Sequence, residues 1–425
     1  MTDTRRRAGE ETRSQHLPTA PISDRPASGD PPRPPVLVRA RIWATARLVA
    51  RPLAIYLASR VVVLGAVAVV SQLGIGRARH HFPGPWPTIA AKVPFLRALS
   101  TWDASWYLHV ATDGYGSDHH KFAVAHHLHV TPDMAFLPLF PLTVRAGHVV
   151  TGLTPAAVGA VVAFLVGAVA AVMVWALARR LTDRRVADRA VALWCFFPGA
   201  FVLSLIYAEG LTVACAAICL LALLDRRWAV AGLAAGLATA TQPSALVLIP
   251  CCVWAAWLAV RRRREWAALV APALAPLGVL AYVGYLWART GEPIAWYHVQ
   301  RVYWHGQLNP YATTVRMVYR AVAHPGTLNY LVPSLGLVLV VIGAVLLWRW
   351  RPPAVVWIYA AGVMALALSS APVGARPRFF LAAFPLAIAM ARVARGRAFG
   401  VLLGTSAALL VAVTLVTAAT LKLIP

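Results

Sequence analysis

Residues 190–224 read AVALWCFFPGAFVLSLIYAEGLTVACAAICLLALL, and Glu209 is the one charged residue among them. Arginines bound the run on both sides: Arg179, Arg180, Arg184, Arg185 and Arg189 before it, Arg226 and Arg227 after it. Wound as helix at about 1.5 Å per residue, it is roughly 52 Å long, while two full bilayer crossings need about 60 Å. The stretch therefore predicts a hairpin of two apolar helices whose turn lies slightly below the far membrane surface. Tyr207 and Glu209 fall at that turn. A carboxylate at such depth must face a cavity or a partner, because exposure to lipid is costly. A structural pair with Arg60 is the alternative to a ligand site.

The rest of the chain repeats this pattern. Of its 425 residues 60% are hydrophobic and only 13% charged, and the mean hydropathy is +0.66. A soluble domain carries roughly 25% charged residues, so the composition predicts an all-α polytopic membrane protein. Apolar runs predict about eleven transmembrane helices, near 52–74, 156–177, 190–207, 208–224, 229–242, 243–260, 266–288, 331–348, 354–371, 379–391 and 399–421. Residues 1–45, rich in Arg, Pro, Ser and Thr, read as a disordered cytoplasmic tail, and 46–425 as one multispan domain. No cleavable leader is expected, since the first long apolar run begins only near Pro52.

The formal net charge of +25 would suggest nucleic acid in a soluble chain. Here the arginines cluster between apolar runs, where they act as topology signals, and nucleic-acid binding is rejected. The clusters 179–189, 226–227, 261–264, 349–351 and 392–397 fall on alternate connections, on the same side as the tail. The positive-inside rule makes that side cytoplasmic and puts the polar segments 75–133 and 289–330 outside, with the turns 207–210, 242–244 and 371–378. Ten of the fifteen acidic residues sit in the tail or at span ends. Asp103, Asp113, Asp118, Asp133 and Glu209 remain, all on the outer side. The five cysteines, 195, 215, 219, 251 and 252, lie inside apolar runs and read as packing residues.

The outer segment TWDASWYLHVATDGY, residues 101–115, carries the catalytic candidate. From Pro94 to Asp113 apolar residues recur every three or four positions, which predicts one amphipathic helix on the outer membrane surface, anchored by Trp102 and Trp106. Asp103 and Tyr107, four apart, share a flank. A carboxylate beside aromatic rings at headgroup level suits a general base for a hydroxyl attacking a lipid-linked donor. The bland alternative is a solvated surface helix. Asp113, before Gly114, reads as a helix-end residue or an acceptor contact.

Six segments together resemble the PIG-V-like mannosyltransferases of the GT-C glycosyltransferase fold: TWDASWYLHVATDGY at 101–115, MAFLPLFPL at 134–142, FFPGAFVLSLIYAEGLTVA at 196–214, GLATATQPSALVLIP at 236–250, GEPIAWYHVQRVYW at 291–304 and RPRFFLAAFPLA at 376–387. The resemblance implies a polyprenyl-phosphate mannose donor, an inverting reaction without a cofactor, a lipid, glycan or protein acceptor, and a catalytic carboxylate that falls on Asp103. Gln242 departs from it, standing where an Arg is expected.

Other candidates come from residue chemistry. Arg376 and Arg378 flank Pro377 in a short outer turn and suit phosphate oxygens, since a guanidinium donates several hydrogen bonds at once; snorkelling anchors are the alternative. Gln242, in the equally short hairpin 228–260, sits at a depth similar to Glu209. Gln300 and Trp304 belong to a loop of mixed aromatic and polar residues that fits a sugar or headgroup site, as does an aromatic belt. The histidines 119, 120, 126, 127 and 129 match no zinc spacing, so no metal is expected. A transporter or flippase would show internal repeats and mid-membrane charges in broken helices, and no clear repeat occurs. A GT-C enzyme using another polyprenyl-phosphate sugar remains the nearer alternative.

Overall fold

The structure, a computed structural model, describes residues 35–73, 94–117, 130–308, 312–324, 328–371 and 377–420. Arg376, Asp118 and the histidines 119–129 lie outside the described residues. The chain divides into residues 1–48 and 49–425. The first unit contributes the start of α1 (Pro35–Leu73), which begins within the stretch whose composition suggested a tail.

The second unit is mainly helical in its described residues. It contains α2 (Phe95–Leu99), α3 (Asp103–Asp113), α4 (Leu139–Thr151), α5 (Pro155–Leu181), α6 (Arg184–Cys195), α7 (Glu209–Leu224), α8 (Trp228–Thr239) and α9 (Leu248–Arg263). The second half holds α10 (Val270–Leu274), α11 (Leu277–Thr290), α12 (Ala295–Val302), α13 (Ala312–Ala323), α14 (Leu328–Trp350), α15 (Ala354–Ser369), α16 (Pro377–Leu381), α17 (Pro385–Val393) and α18 (Gly396–Thr420). Gln307–Leu308 and Ser370–Ala371 form a two-residue antiparallel ladder, the one sheet among the described residues.

Five helices among the described residues are long and apolar enough to cross a membrane: Val49–Gln72, Pro155–Leu181, Pro243–Arg263, Trp266–Thr290 and Gly396–Ala418. The pair Arg184–Cys195 and Pro198–Ser204 qualifies as one bent element, and α7, α8, Ser334–Trp350 and α15 are shorter apolar helices. The run expected at 379–391 is instead divided between α16 and α17, because Pro385 cannot donate to a continuing helix. Helix α5 packs along α6 and α7, α7 along α8, and α6 along α17, which in turn packs on α14. Small residues permit the closest approach: a Cβ on Gly210 would lie 3.0 Å from the Gly167 nitrogen.

The Arg-rich links carry their own counter-ions. Asp183 caps α6 by accepting the Val186 N–H at 2.9 Å, which holds its carboxyl below the usual range. Asp188 accepts the Trp175 indole N–H at 2.8 Å and pairs with Arg51 at 3.1 Å. Arg180 pairs with Asp225 at 2.8 Å, and Arg226 pairs with Glu265. Asp225 and Glu265, read as span-end residues, thus sit against link arginines, and Asp188 sits against Arg51. All five cysteines are buried and free, as their apolar context suggested.

The hairpin 190–224 bends by 76° between Cys195 and Pro198. Pro198 ends the helix by removing a donor, and a short 3-10 turn, Pro198–Ser204, follows. Buried Arg60 meets the polar groups so released. Its guanidinium donates to the Ala200 carbonyl and the Ser204 hydroxyl at 2.8 Å each, to the Cys195 carbonyl at 3.2 Å, and through Nε to the Ser59 hydroxyl at 3.3 Å. Arg60 therefore supports the break and does not pair with Glu209. Arg60→Leu would strand two buried carbonyls at about 1–3 kcal/mol each, so a markedly lower unfolding midpoint in detergent is expected. An unchanged midpoint would remove Arg60 from this role.

Candidate active site

The expected continuous helix from Pro94 to Asp113 is two helices. Ser100 to Trp102 interrupt it, and Trp102 has φ 60°, a left-handed backbone rare for a bulky residue and costing on the order of 1–3 kcal/mol. The kink aims the first N–H of α3, that of Asp103, at the Tyr207 hydroxyl 3.2 Å away. Nor does the aromatic face of α3 meet lipid. Trp106 is 3% exposed, stacked on Phe136 and edge-on to Trp304, and Tyr107 packs edge-on to Phe136, Phe140 and Tyr207. Burial against these protein rings outcompetes the membrane surface, because each large ring removes more apolar area from water and gains ring–ring contact.

Asp103 Oδ2 accepts from Arg378 Nη1 at 2.5 Å, with side chains 23% and 11% exposed. The Arg378 guanidinium also lies over the rings of Tyr207 at 5.6 Å and Phe379 at 4.9 Å. Burial works against its charge, but Asp103, Tyr207 and Glu209 outweigh that and hold the guanidinium above its usual pKa. Arg378 reaches this position because Gly199, in the turn after the bent helix, lets the backbone of residues 377–378 pass. A Cβ at Gly199 would lie 2.4 Å from the Pro377 carbonyl oxygen.

Glu209 opens α7 beside this pair and is 6% exposed. Gln242, from the neighbouring hairpin turn, lies beside Glu209 and Tyr107. Five predicted site residues, Asp103, Tyr107, Tyr207, Glu209 and Gln242, thus converge on Arg378. Three do not: Asp113 is largely exposed and pairs with His109 at 3.0 Å, Gln300 lies in α12, where its main-chain carbonyl accepts the Gly306 N–H at 2.7 Å, and the Trp304 indole donates to the Pro132 carbonyl at 3.1 Å.

The structure adds a clamp that the sequence did not suggest. Five aromatic side chains donate to five carbonyls within residues 130–136: Tyr303 to Val130, Trp304 to Pro132, Tyr282 to Met134, Trp296 to Ala135 and Tyr115 to Phe136, at 2.8–3.3 Å. Asp133 is held inside this segment, 2% exposed, with Oδ2 accepting the Gly116 N–H at 2.7 Å. The available signal was the alternation of aromatic residues in WYHVQRVYW at 296–304, which resembles an ordinary membrane belt. Among the described residues no group of three or more His, Cys, Asp and Glu is arranged to hold a metal ion.

The fold and the site define the class: a multi-pass, all-helical membrane protein with one ion-paired, aromatic-walled polar site. The family model of dolichyl-phosphate-mannose-protein mannosyltransferases matches residues 131–287, a stretch that contains Tyr207, Glu209 and Gln242 but neither Asp103 nor Arg378. Among solved structures, ArnT from Cupriavidus metallidurans in the apo state is similar at 15% identity and TM-score 0.45, over 80% of this chain and 61% of that one. The Archaeoglobus fulgidus oligosaccharyltransferase is similar in its apo form, at 14% identity and TM-score 0.42 over 83% of this chain and 56% of that one. In its complex with Zn and sulfate the figures are 16% and 0.39, over 66% and 44%. The chain thus spans between 44% and 61% of these proteins. No curated protein matches it.

Proposed function

We propose that this chain is a membrane glycosyltransferase of the GT-C type that moves a mannosyl residue from polyprenyl-phosphate mannose to a lipid, glycan or protein acceptor, with inversion. The observation that carries the reading is the pairing of Asp103 with Arg378 across Tyr207. It unites three of the segments that resemble the PIG-V-like mannosyltransferases, and the mannosyltransferase family match over 131–287 supports the same class.

The chemistry follows from the donor. A polyprenyl phosphate leaves as an anion and needs no proton at neutral pH, so the site requires one base and one cation. Asp103 takes the proton of the acceptor hydroxyl as that oxygen bonds to the anomeric carbon, and the carbon–oxygen bond to the phosphate breaks. Arg378 meets the charge growing on the leaving phosphate, with Arg376 as a second candidate contact. Glu209 and the link residue Asp225 lie at opposite ends of α7, about 24 Å apart. The Arg-rich ends and the site ends are therefore separated by most of a bilayer, which supports a cytoplasmic tail and an active site on the other face of the cell membrane. A transporter reading would use Arg60 at the helix break, but four of its donor bonds already go to the chain itself.

Membranes containing the protein, supplied in turn with radiolabelled polyprenyl-phosphate mannose, glucose and pentose, test the reading. Label should pass to an acceptor from the mannose donor in preference to the others. Transfer from another sugar alone would correct the donor, and translocation of intact lipid without transfer would overturn the enzyme reading.

A further inference from the structure

Glu209 is held in place but not fully used by the protein. It is 6% exposed, and its Oε2 has no hydrogen-bond partner. Its position is fixed, because Gly210 beside it abuts Gly167 of α5 too closely for any side chain to fit without movement. Arg378 is near, yet its ion pair goes to Asp103, and its Nε likewise lacks a partner. Native chains rarely leave buried polar atoms unsatisfied without a purpose. Here an acceptor without a donor and a donor without an acceptor share one site. A ligand that carries an anionic oxygen and a hydroxyl close together, as a sugar phosphate does, would satisfy both.

We infer that Glu209 is the specificity-determining group for the transferred sugar, its Oε2 accepting a hydrogen bond from one sugar hydroxyl while the Gln242 amide steadies the carboxylate. The inference rests on the proposed reading that a lipid-linked sugar phosphate occupies the site. Two other roles fit less well. A phosphate contact would set like charges together, and the base role belongs to the more accessible Asp103, which already faces Arg378. A hydroxyl can donate to the carboxyl oxygen without charge repulsion, and Tyr107 and Tyr207 supply the ring walls beside it.

The test uses the full-length protein and polyprenyl-phosphate mannose together with its monodeoxy analogues, one for each sugar hydroxyl. A buried acceptor left empty by a deoxy donor penalises that donor strongly, so the wild type should lose at least about 100-fold in kcat/KM with one analogue. Glu209→Ala should lower kcat/KM for the complete donor toward the wild-type value for that analogue, and treat the two donors alike. Glu209→Gln, which keeps the volume and a weaker acceptor, should reduce the discrimination at least about tenfold and serves where the alanine variant does not fold. A purely structural role would slow every donor equally and leave the ratio intact, which overturns the inference. Equal use of all the analogues by the wild type also overturns it. Absence of transfer from any polyprenyl-phosphate sugar marks the failure of the proposed function itself.

Discussion

Asp103→Asn is expected to yield folded protein that binds polyprenyl-phosphate mannose at least as well as the wild type and transfers it at least about a hundredfold more slowly. A positioned carboxylate base contributes 10² to 10⁴-fold to such a step, and Asn keeps the shape while abolishing the basicity. Folding survives because the Asn carbonyl oxygen can still accept from Arg378 Nη1, replacing the bond now made to Asp103 Oδ2. Binding is not weakened, because in the ligand-free site Asp103 and the donor phosphate compete for the same guanidinium, and the neutral variant competes less. The signature is a fall in kcat with KM unchanged or lowered. Arg378→Ala should raise KM for the donor and, because the guanidinium also meets the charge that grows on the leaving phosphate, lower kcat as well. Near wild-type turnover by Asp103→Asn would exclude Asp103 as the base and leave Glu209 as the carboxylate beside Arg378.

Gly199→Ala should be nearly as damaging although residue 199 touches no substrate. The added Cβ would lie 2.4 Å and 2.5 Å from the carbonyl oxygen and carbon of Pro377 and 2.8 Å from the nitrogen of Arg378. All three are backbone atoms, so no side-chain rotation relieves the overlap. Helix α16 must move outward, and Arg378 moves with it, away from Asp103 and the Tyr207 ring. Overpacking of this kind costs about 1–3 kcal/mol, and misplacement of a reacting group by about 1 Å can cost on the order of 100-fold in rate. Donor transfer and the unfolding midpoint, measured together on the purified variant, should both fall. A variant with full activity would show that α16 adapts, and that its approach to Gly199 does not position Arg378.

Those features that depend on local composition were legible in the sequence. The arginine clusters mark helix ends, and the short hairpin with Glu209 at its turn is present. Asp103, Tyr107, Tyr207, Glu209, Gln242 and Arg378, read from separate motifs, share one region. What tertiary contact decides was not legible. The periodicity from Pro94 to Asp113 suits one helix, yet Trp102 takes a left-handed backbone that turns the Asp103 N–H toward the distant Tyr207 hydroxyl. Trp304 and Asp113 have the chemistry of site residues, but their hydrogen-bonding groups serve the Pro132 carbonyl and the His109 ring. Asp133 reads only as one more acid on the outer side, because nothing in its neighbourhood along the chain reveals the distant rings that bury it.

The ion pair at the centre of the site joins residues 275 positions apart in the chain. At a ribosomal rate of roughly 5–20 residues per second, 275 residues take about 14–55 s to make, and for that interval Asp103 exists without its arginine. The hairpin that carries Glu209 is complete long before. Assembly of the site thus waits until residue 378 of 425 has been made, and a nascent polypeptide that ends before it has both carboxylates but lacks the cation that pairs with Asp103.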